Sequence, residues 1–261
     1  MRGNVNRSLI ILAVVLLSGA CTGAGSSGDR AATGSASPAP ATEPPQQLAP
    51  AHGTYRPVIT PTDFVTTVDN PYWPLTPGTT FHYEGVRGTT PQTNTVTVTD
   101  RTKRILGISC TVVRDTVFEH GTVVERTLDW YAQDVQGNVW YMGEDSFELQ
   151  HGRMAKASDS WESGVDGAQP GIIMPAAPQP GDAYRQEFYP PGEALDEARV
   201  LQLGGNVTVP FGSFDGLLVT SERSPLEPQT EQKYYEPGLG EVEERVVRGH
   251  HEEFQLVSIT H

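Results

Sequence analysis

From residue 80 onward, apolar and polar residues alternate with a period of two. Segments 94–100 (NTVTVTD), 109–118, 122–132, 138–144, 182–189, 198–204, 206–210, 217–222, 241–247 and 252–259 all follow this rhythm. Side chains that point alternately to two faces are the mark of β-strands rather than helices. Short glycine-bearing polar turns punctuate the runs at 120–121, 136–138, 151–152, 204–205 and 248–249, where a chain reverses into the next strand. The best helical stretch is EALDEAR at 193–199, about two turns. The pattern predicts a mainly β fold with little helix: an antiparallel meander curled into a half-barrel or closed as a barrel.

Two stretches break the rhythm. DNPYWPLTPG (69–78) holds three prolines and cannot be a central strand, so it is expected to wrap one end of the barrel. The segment 158–181 is long and rich in Gly and Pro, the profile of a lid over a binding site or of a rim loop pinned by Trp161 and Ile172-Ile173-Met174.

The run DWYAQDVQGNVWYMGED (129–145) is the most information-dense. An EF-type calcium loop needs oxygen ligands at alternate positions, and Asp134-Val135-Gln136-Gly137-Asn138 supplies one acid with its glycine too early. The same residues fit a type I turn followed by a glycine in the left-handed region. That turn sets Tyr131 opposite Tyr141, Ala132 opposite Trp140 and Trp130 opposite Met142. Leu128, Trp130, Ala132, Trp140 and Met142 then form an apolar core face. Asp129, Tyr131, Tyr141, Gly143 and Asp145 share the other face, with Asp129 diagonal to Asp145. That face is either solvated or part of a site: Tyr131, Tyr141 and Trp161 are candidate ligand contacts, and Asp129 with Asp145 a candidate carboxylate pair for acting on a glycan.

Other chemistry is scarce. GSFDG (212–216) misplaces the serine of a hydrolase elbow. HHEEFQ (250–255) has Gln255 where a zinc protease needs its second histidine, and reads as a strand. GLGEVEE (238–244) lacks the third glycine of a dinucleotide loop. No metal or cofactor is expected, and the balance leans away from an enzyme. Cys110 lies in a strand-like run and is expected to be an inert buried thiol.

The first 60 residues do not belong to the meander. Residues 1–20 read as a signal peptide: two arginines, an apolar run from Leu9 to Leu17, then small residues. Ser18-Gly19-Ala20-Cys21 resembles the bacterial lipobox, which would make Cys21 a lipidated N-terminus; an ordinary signal peptide or an uncleaved anchor would share this composition. Residues 21–60 are Gly, Ala, Ser and Pro-rich and read as a disordered tether reaching about 30 Å, leaving 61–261 as one globular domain. The formal net charge is −14, and loss of Arg2 and Arg7 with the signal makes it −16. Such a chain repels nucleic acid and anionic headgroups, so any membrane contact is expected through the lipid.

DNPYWPLTPGTTFHYEG, VVRDTV, DWYAQDVQGNVWYMGED, PGDAYRQEFYP, VTVPFGSFDGLLVT and KYYEPGLGEVEE together resemble a family of secreted bacterial lipoproteins of actinobacterial type. The VPFGSF and YYEPGLGEVEE pieces also resemble, in fold style, the Lol-type envelope half-barrels. These resemblances imply an exported, lipid-anchored β domain on the outer face of the cell membrane, or extracellular if the anchor is absent. They imply no activity. The anchor, the tether, the absent catalytic motifs and the aromatic-rich strands favour a non-catalytic module that binds an apolar or amphipathic ligand or an envelope protein. The alternatives are an extracellular glycan hydrolase and a purely structural interaction module.

Overall fold

A computed structural model describes residues 49–226 and 228–261. The signal segment, Cys21 and the tether as far as residue 48 lie outside the described residues. Strands follow in chain order: β1 (Phe64–Val65), β2 (Asp69–Asn70), β3 (Trp73–Pro74), β4 (Thr80–Arg87), β5 (Thr90–Ile105) and β6 (Ile108–Glu119). Next come β7 (Thr122–Asp134), β8 (Val139–Gln150), β9 (Arg153–Lys156), β10 (Trp161–Glu162), β11 (Gln169–Met174) and β12 (Ala183–Arg185). The last six are β13 (Glu187–Phe188), β14 (Glu197–Val209), β15 (Gly212–Arg223), β16 (Thr230–Glu236), β17 (Gly240–Arg248) and β18 (Glu252–Thr260). Strand accounts for 65% of the structure and helix for 3%, in a nearly closed antiparallel barrel.

The hairpins are set by local chemistry. The β5–β6, β6–β7 and β8–β9 loops are Leu106-Gly107, His120-Gly121 and His151-Gly152, each with both residues at positive φ. Two-residue loops of that kind match the right-handed twist of the strands they join. The expected turn at 204–205 is instead a bulge inside β14, where the register against β15 shifts on both sides of Gly205, so two short expected strands are one long one. EALDEAR is not helical: Pro190–Gly192 forms a single 3₁₀ turn, Glu193 follows at φ 62, and Glu197 opens β14 facing Arg185 and Arg223 at 3.7 and 3.5 Å.

The meander runs β14-β15-β16-β17-β18-β4-β5-β6-β7-β8-β11, so the last strand pairs with the first long one and the two ends of the path face each other. One short segment joins them. Its β12 half pairs with β14 (Arg185 opposite Glu197), and its β13 half pairs with β11 (Glu187 opposite Pro170), with Gln186 at the crossing. Gly171 permits the close approach, since a Cβ there would stand 2.3 Å from the Gln186 carbonyl carbon. Residues at the end of the expected tether pack against this seam. The Arg185 amide donates to Ala49 O, Tyr55 Oη donates to Pro170 O at 2.5 Å, and Ala49, Ala51 and Tyr55 are buried. Folded contacts therefore begin by residue 49.

The proline-rich segment closes one end of the barrel. Asn70 Nδ2 donates to Gly137 O in the β7–β8 turn, and Gly238 N in the β16–β17 turn donates to Pro71 O. Between these anchors Trp73 drops onto Tyr131 and Tyr235, with ring centroids 5.5 and 6.0 Å apart.

Segment 158–181 is not a free lid. β10 and β11 pair with β8, and Trp161, Ile172 and Met174 are buried. Cys110 is buried and unbonded to another cysteine, its thiol pushed up to about 12 by burial.

Candidate functional site

The β7–β8 turn forms as its residues dictate. Asp134 N donates to Asn138 O, Gly137 N donates to Asp134 O, and Gly137 takes φ 96. Asp134 organises the turn, its carboxylate accepting from the amides of Gln136 and Asn138, from Asn138 Nδ2 and from Trp140 Nε1. Tyr131 pairs with Tyr141 and Ala132 with Trp140, as expected. Then the register slips: Trp130 pairs with Gly143, not Met142, leaving Met142 as the extra residue of a bulge. Gly143 sits at φ 135, and a Cβ on it would stand 2.4 Å from Trp161 O, so the bulge and the pairing with β10 both require glycine.

A one-residue slip exchanges the faces of everything beyond it. Asp129 now pairs with Glu144, and Asp145 falls opposite Leu128. The structure thus separates the expected pair: Asp129 is buried and faces inward, while Asp145, 30% exposed, binds Lys156 at 2.6 Å. Asp129 is joined by Glu144 instead. Trp130, Ala132, Trp140 and Met142 form the buried opposite face, with Lys103 over the Trp130 ring and Phe64 against Trp140.

Asp129, Tyr131, Tyr141 and Glu144 line a cavity of about 1070 Å³ in the barrel interior. Along β7 the inward residues Glu125, Thr127, Asp129 and Tyr131 run from the open end to the floor. Trp73, Leu75, Tyr131 and Leu239 line the floor, and exposed Pro228, Gly249 and His250 line the cavity at the opposite end, its mouth. The walls are acidic. Among the described residues that line the cavity, fourteen are Asp or Glu, against Lys233, Arg87 and His250.

Some of these carboxylates meet a cation. Lys233 Nζ lies 3.0 Å from Glu244 and 3.6 Å from Glu222, and Arg87 lies 2.8 Å from Glu252. Glu222 also accepts from Gln186 Nε2, Thr220 Oγ1 and Tyr235 Oη. Burial would discharge Lys233, but Glu244, Glu222 and Glu241 outweigh it and hold the ammonium well above its usual range.

A second group meets only neutral donors. Tyr141 Oη lies 2.7 Å from Asp129 Oδ1 and 2.9 Å from Glu144 Oε2, and Trp161 Nε1 donates to Glu187 Oε2 at 2.8 Å. A phenol has one hydrogen to donate, so the Asp129–Tyr141–Glu144 chain is satisfied only when one carboxyl carries a proton and donates to the tyrosine oxygen. That proton belongs to the pair, since burial raises both carboxyls and they titrate together. Burial, then the charges of Glu187, Asp129 and Asp159, raise Glu144 well above the carboxylate range, whereas burial lifts Asp129 only to about 6 against the Tyr141 bond and the Lys233 charge. Burial likewise lifts Glu125 to about 7, Glu231 and Glu241 to about 8, and Glu187 well above its ordinary value.

The three aromatic candidates come together. Tyr131 stacks on Tyr141 at 4.9 Å, and Tyr141 meets the edge of Trp161 at 5.4 Å. Tyr131 and Tyr141 face the cavity, while Trp161 stands behind them holding Glu187. Sequence reasoning missed Glu144, Glu187, Asp115, Glu222 and Lys233. A signal existed: in Val113, Asp115, Val117 an acid shares the strand face of two buried valines, which is inconsistent with a dry core and fits a wet lumen. No group of three or more His, Cys, Asp or Glu among the described residues converges as a metal site.

Comparison with family models and with curated proteins finds no match for the chain. Two solved structures are similar to it at low identity. A Bacteroides fragilis protein described as exported and as having a YmcC-like fold is 13% identical, with a TM-score of 0.43, over 73% of this chain and 99% of that one. A Parabacteroides distasonis protein described as a lipoprotein is 11% identical, with a TM-score of 0.40, over 72% of this chain and 98% of that one.

Proposed function

We propose that this chain is a lipid-anchored envelope protein whose barrel takes up a small amphipathic ligand without transforming it. The lumen is the observation that supports the reading. A cavity of about 1070 Å³ with an aromatic floor and polar walls has the size and lining of a small-molecule site. A purely apolar ligand fits it poorly, because the wall carboxylates would lose water without gaining partners. The signal-like leader, Cys21 and the polar segment behind it support the anchor.

The test uses the full chain expressed with its leader in a bacterial host. Native mass spectrometry after mild extraction is expected to show a co-purifying small molecule, lost when Trp73→Ala opens the floor. The Cys21→Ala variant is expected to leave the membrane fraction. Absence of any bound species across mild extraction conditions would remove the ligand reading, and unchanged membrane retention would remove the anchor.

The Asp129–Tyr141–Glu144 chain favours a second reading, acid–base chemistry on a glycan. It puts a protonated carboxyl and a lower-pKa carboxylate in one cavity. In that reading Glu144 is the acid and Asp129 the base. Turnover of a chromogenic glycoside, lost in Glu144→Gln, would support it over simple binding.

A further inference from the structure

The lumen is built for one sign of charge. Fourteen acidic side chains face it, and Lys233 and Arg87 are the Lys and Arg residues among the described lining. Lys233 shows how an ammonium is held there: its charge sits between Glu244 and Glu222 at 3.0 and 3.6 Å. Asp129, Glu144 and Glu187 form a comparable group, joined through the Tyr141 hydroxyl and the Trp161 indole. No Lys or Arg among the described residues forms an ion pair with any of the three. Asp129 and Glu187 are 8% and 7% exposed. Asp159, on the same lumen and close enough to raise Glu144 and Glu187, has its Oδ1 buried with no hydrogen-bond partner. A buried acceptor left in that state costs about 1–3 kcal/mol, so a donor that enters the lumen gains by meeting it.

These observations, together with the proposed use of the lumen as a ligand site, identify the ligand's chemistry. We infer that the lumen takes a small organic ammonium with an apolar tail, its charge against Asp129, Glu144 and Glu187 and its tail toward Trp73, Tyr131 and Leu239. An inorganic cation is the weaker fit, since hard ions need several oxygens converging on one point and no such group exists among the described residues. An anionic amphiphile finds Lys233 and Arg87 already paired with carboxylates. The stacked Tyr131–Tyr141 pair and the Trp73 ring add aromatic surface suited to an alkylammonium.

The probes are dodecylammonium, dodecanol and dodecanoate, which share one chain length and differ in head group. Binding is followed by the fluorescence of the full chain at pH 8 and checked by calorimetry. Dodecylammonium is expected to bind at least about tenfold tighter than dodecanol, the difference between charge-assisted and neutral hydrogen bonds, with dodecanoate weakest. In the double variant Asp129→Asn/Glu144→Gln the ammonium advantage falls to within about threefold while dodecanol affinity stays constant. Glu187→Gln reports the same loss in part, should the double variant fail to fold. Equal affinity for ammonium and alcohol, or a preference for dodecanoate, would overturn this inference while leaving the lumen a ligand site. No binding by any of the three would overturn both. An ammonium preference unchanged in either variant would overturn the placement at Asp129, Glu144 and Glu187.

Discussion

Lowering the pH from 8 to 5 is expected to raise the melting temperature of this protein by about 5–10 °C, a shift that differential scanning calorimetry in the absence of added ligand would register. The sign is opposite to that of a protein whose carboxylates are held ionised in the fold. Glu125, Asp129, Glu231 and Glu241 are lifted by burial to about 7, 6, 8 and 8, and Asp115, Glu144 and Glu187 well above the ordinary range. In the unfolded chain the same groups titrate near 4. Between those limits the folded protein binds more protons than the unfolded one, so stability decreases as pH rises. The contribution is complete below about pH 4 and is lost as pH passes through the folded values, from about 6 to about 8 for Asp129, Glu125, Glu231 and Glu241. Below about pH 5 ordinary surface ion pairs lose their carboxylates too, which confines the rise to the window from 8 to 5. The other groups facing the cluster are Lys233 from β16, Arg87 from β4 and His250 at the mouth; their carboxylate partners hold Lys233 and Arg87 raised, so both stay charged throughout. A melting temperature that is flat or falls from pH 8 to pH 5 would mean that lumen water solvates these carboxylates fully.

Much of this architecture was legible in the chain. Alternation gave the strands, and Asp134 with Gly137 gave the turn that pairs Tyr131 with Tyr141. Proline at 71, 74 and 77 gave a capping segment rather than a strand, because proline cannot donate to a ladder. What escaped was a single residue of register. Gly143 is a glycine inside a strand pattern, a sign of a bulge, and reading it so would have moved Glu144 to the inner face and Asp145 to the outer one. The seam at 183–188 escaped for a different reason. It pairs with β14 just downstream and with β11 just upstream, and alternation cannot tell a strand shared between two edges from two separate strands. The lumen was hidden by the assumption that one face of each strand is dry. Val113-Asp115-Val117 and Glu231-Lys233-Tyr235 put charged and apolar residues on one face, and only closure of the barrel shows that this face surrounds a cavity.

Lys233→Met tests the same electrostatics from the side of the cation. Methionine preserves the stem and removes the ammonium, so the packing of Lys233 along β16 changes little while Glu244 and Glu222 lose the charge between them. Removing one partner of a desolvated pair costs about 3–5 kcal/mol when the other is left buried and charged. Lys233 is 21% exposed to the lumen, so the lower end, about 3 kcal/mol, applies at pH 8, a fall of about 10 °C in melting temperature. At pH 5 the expected loss shrinks to about 1 kcal/mol, because Glu231 and Glu241, raised to about 8, are then protonated and no longer need the ammonium. Urea unfolding at the two pH values measures the difference, with an unchanged slope marking an unchanged extent of folding. Adding Glu244→Gln to Lys233→Met is expected to recover about half of the loss at pH 8, since it removes the nearest uncompensated carboxylate. An equal loss at both pH values, with no recovery from Glu244→Gln, would assign Lys233 a packing role and remove it from the charge balance of the lumen.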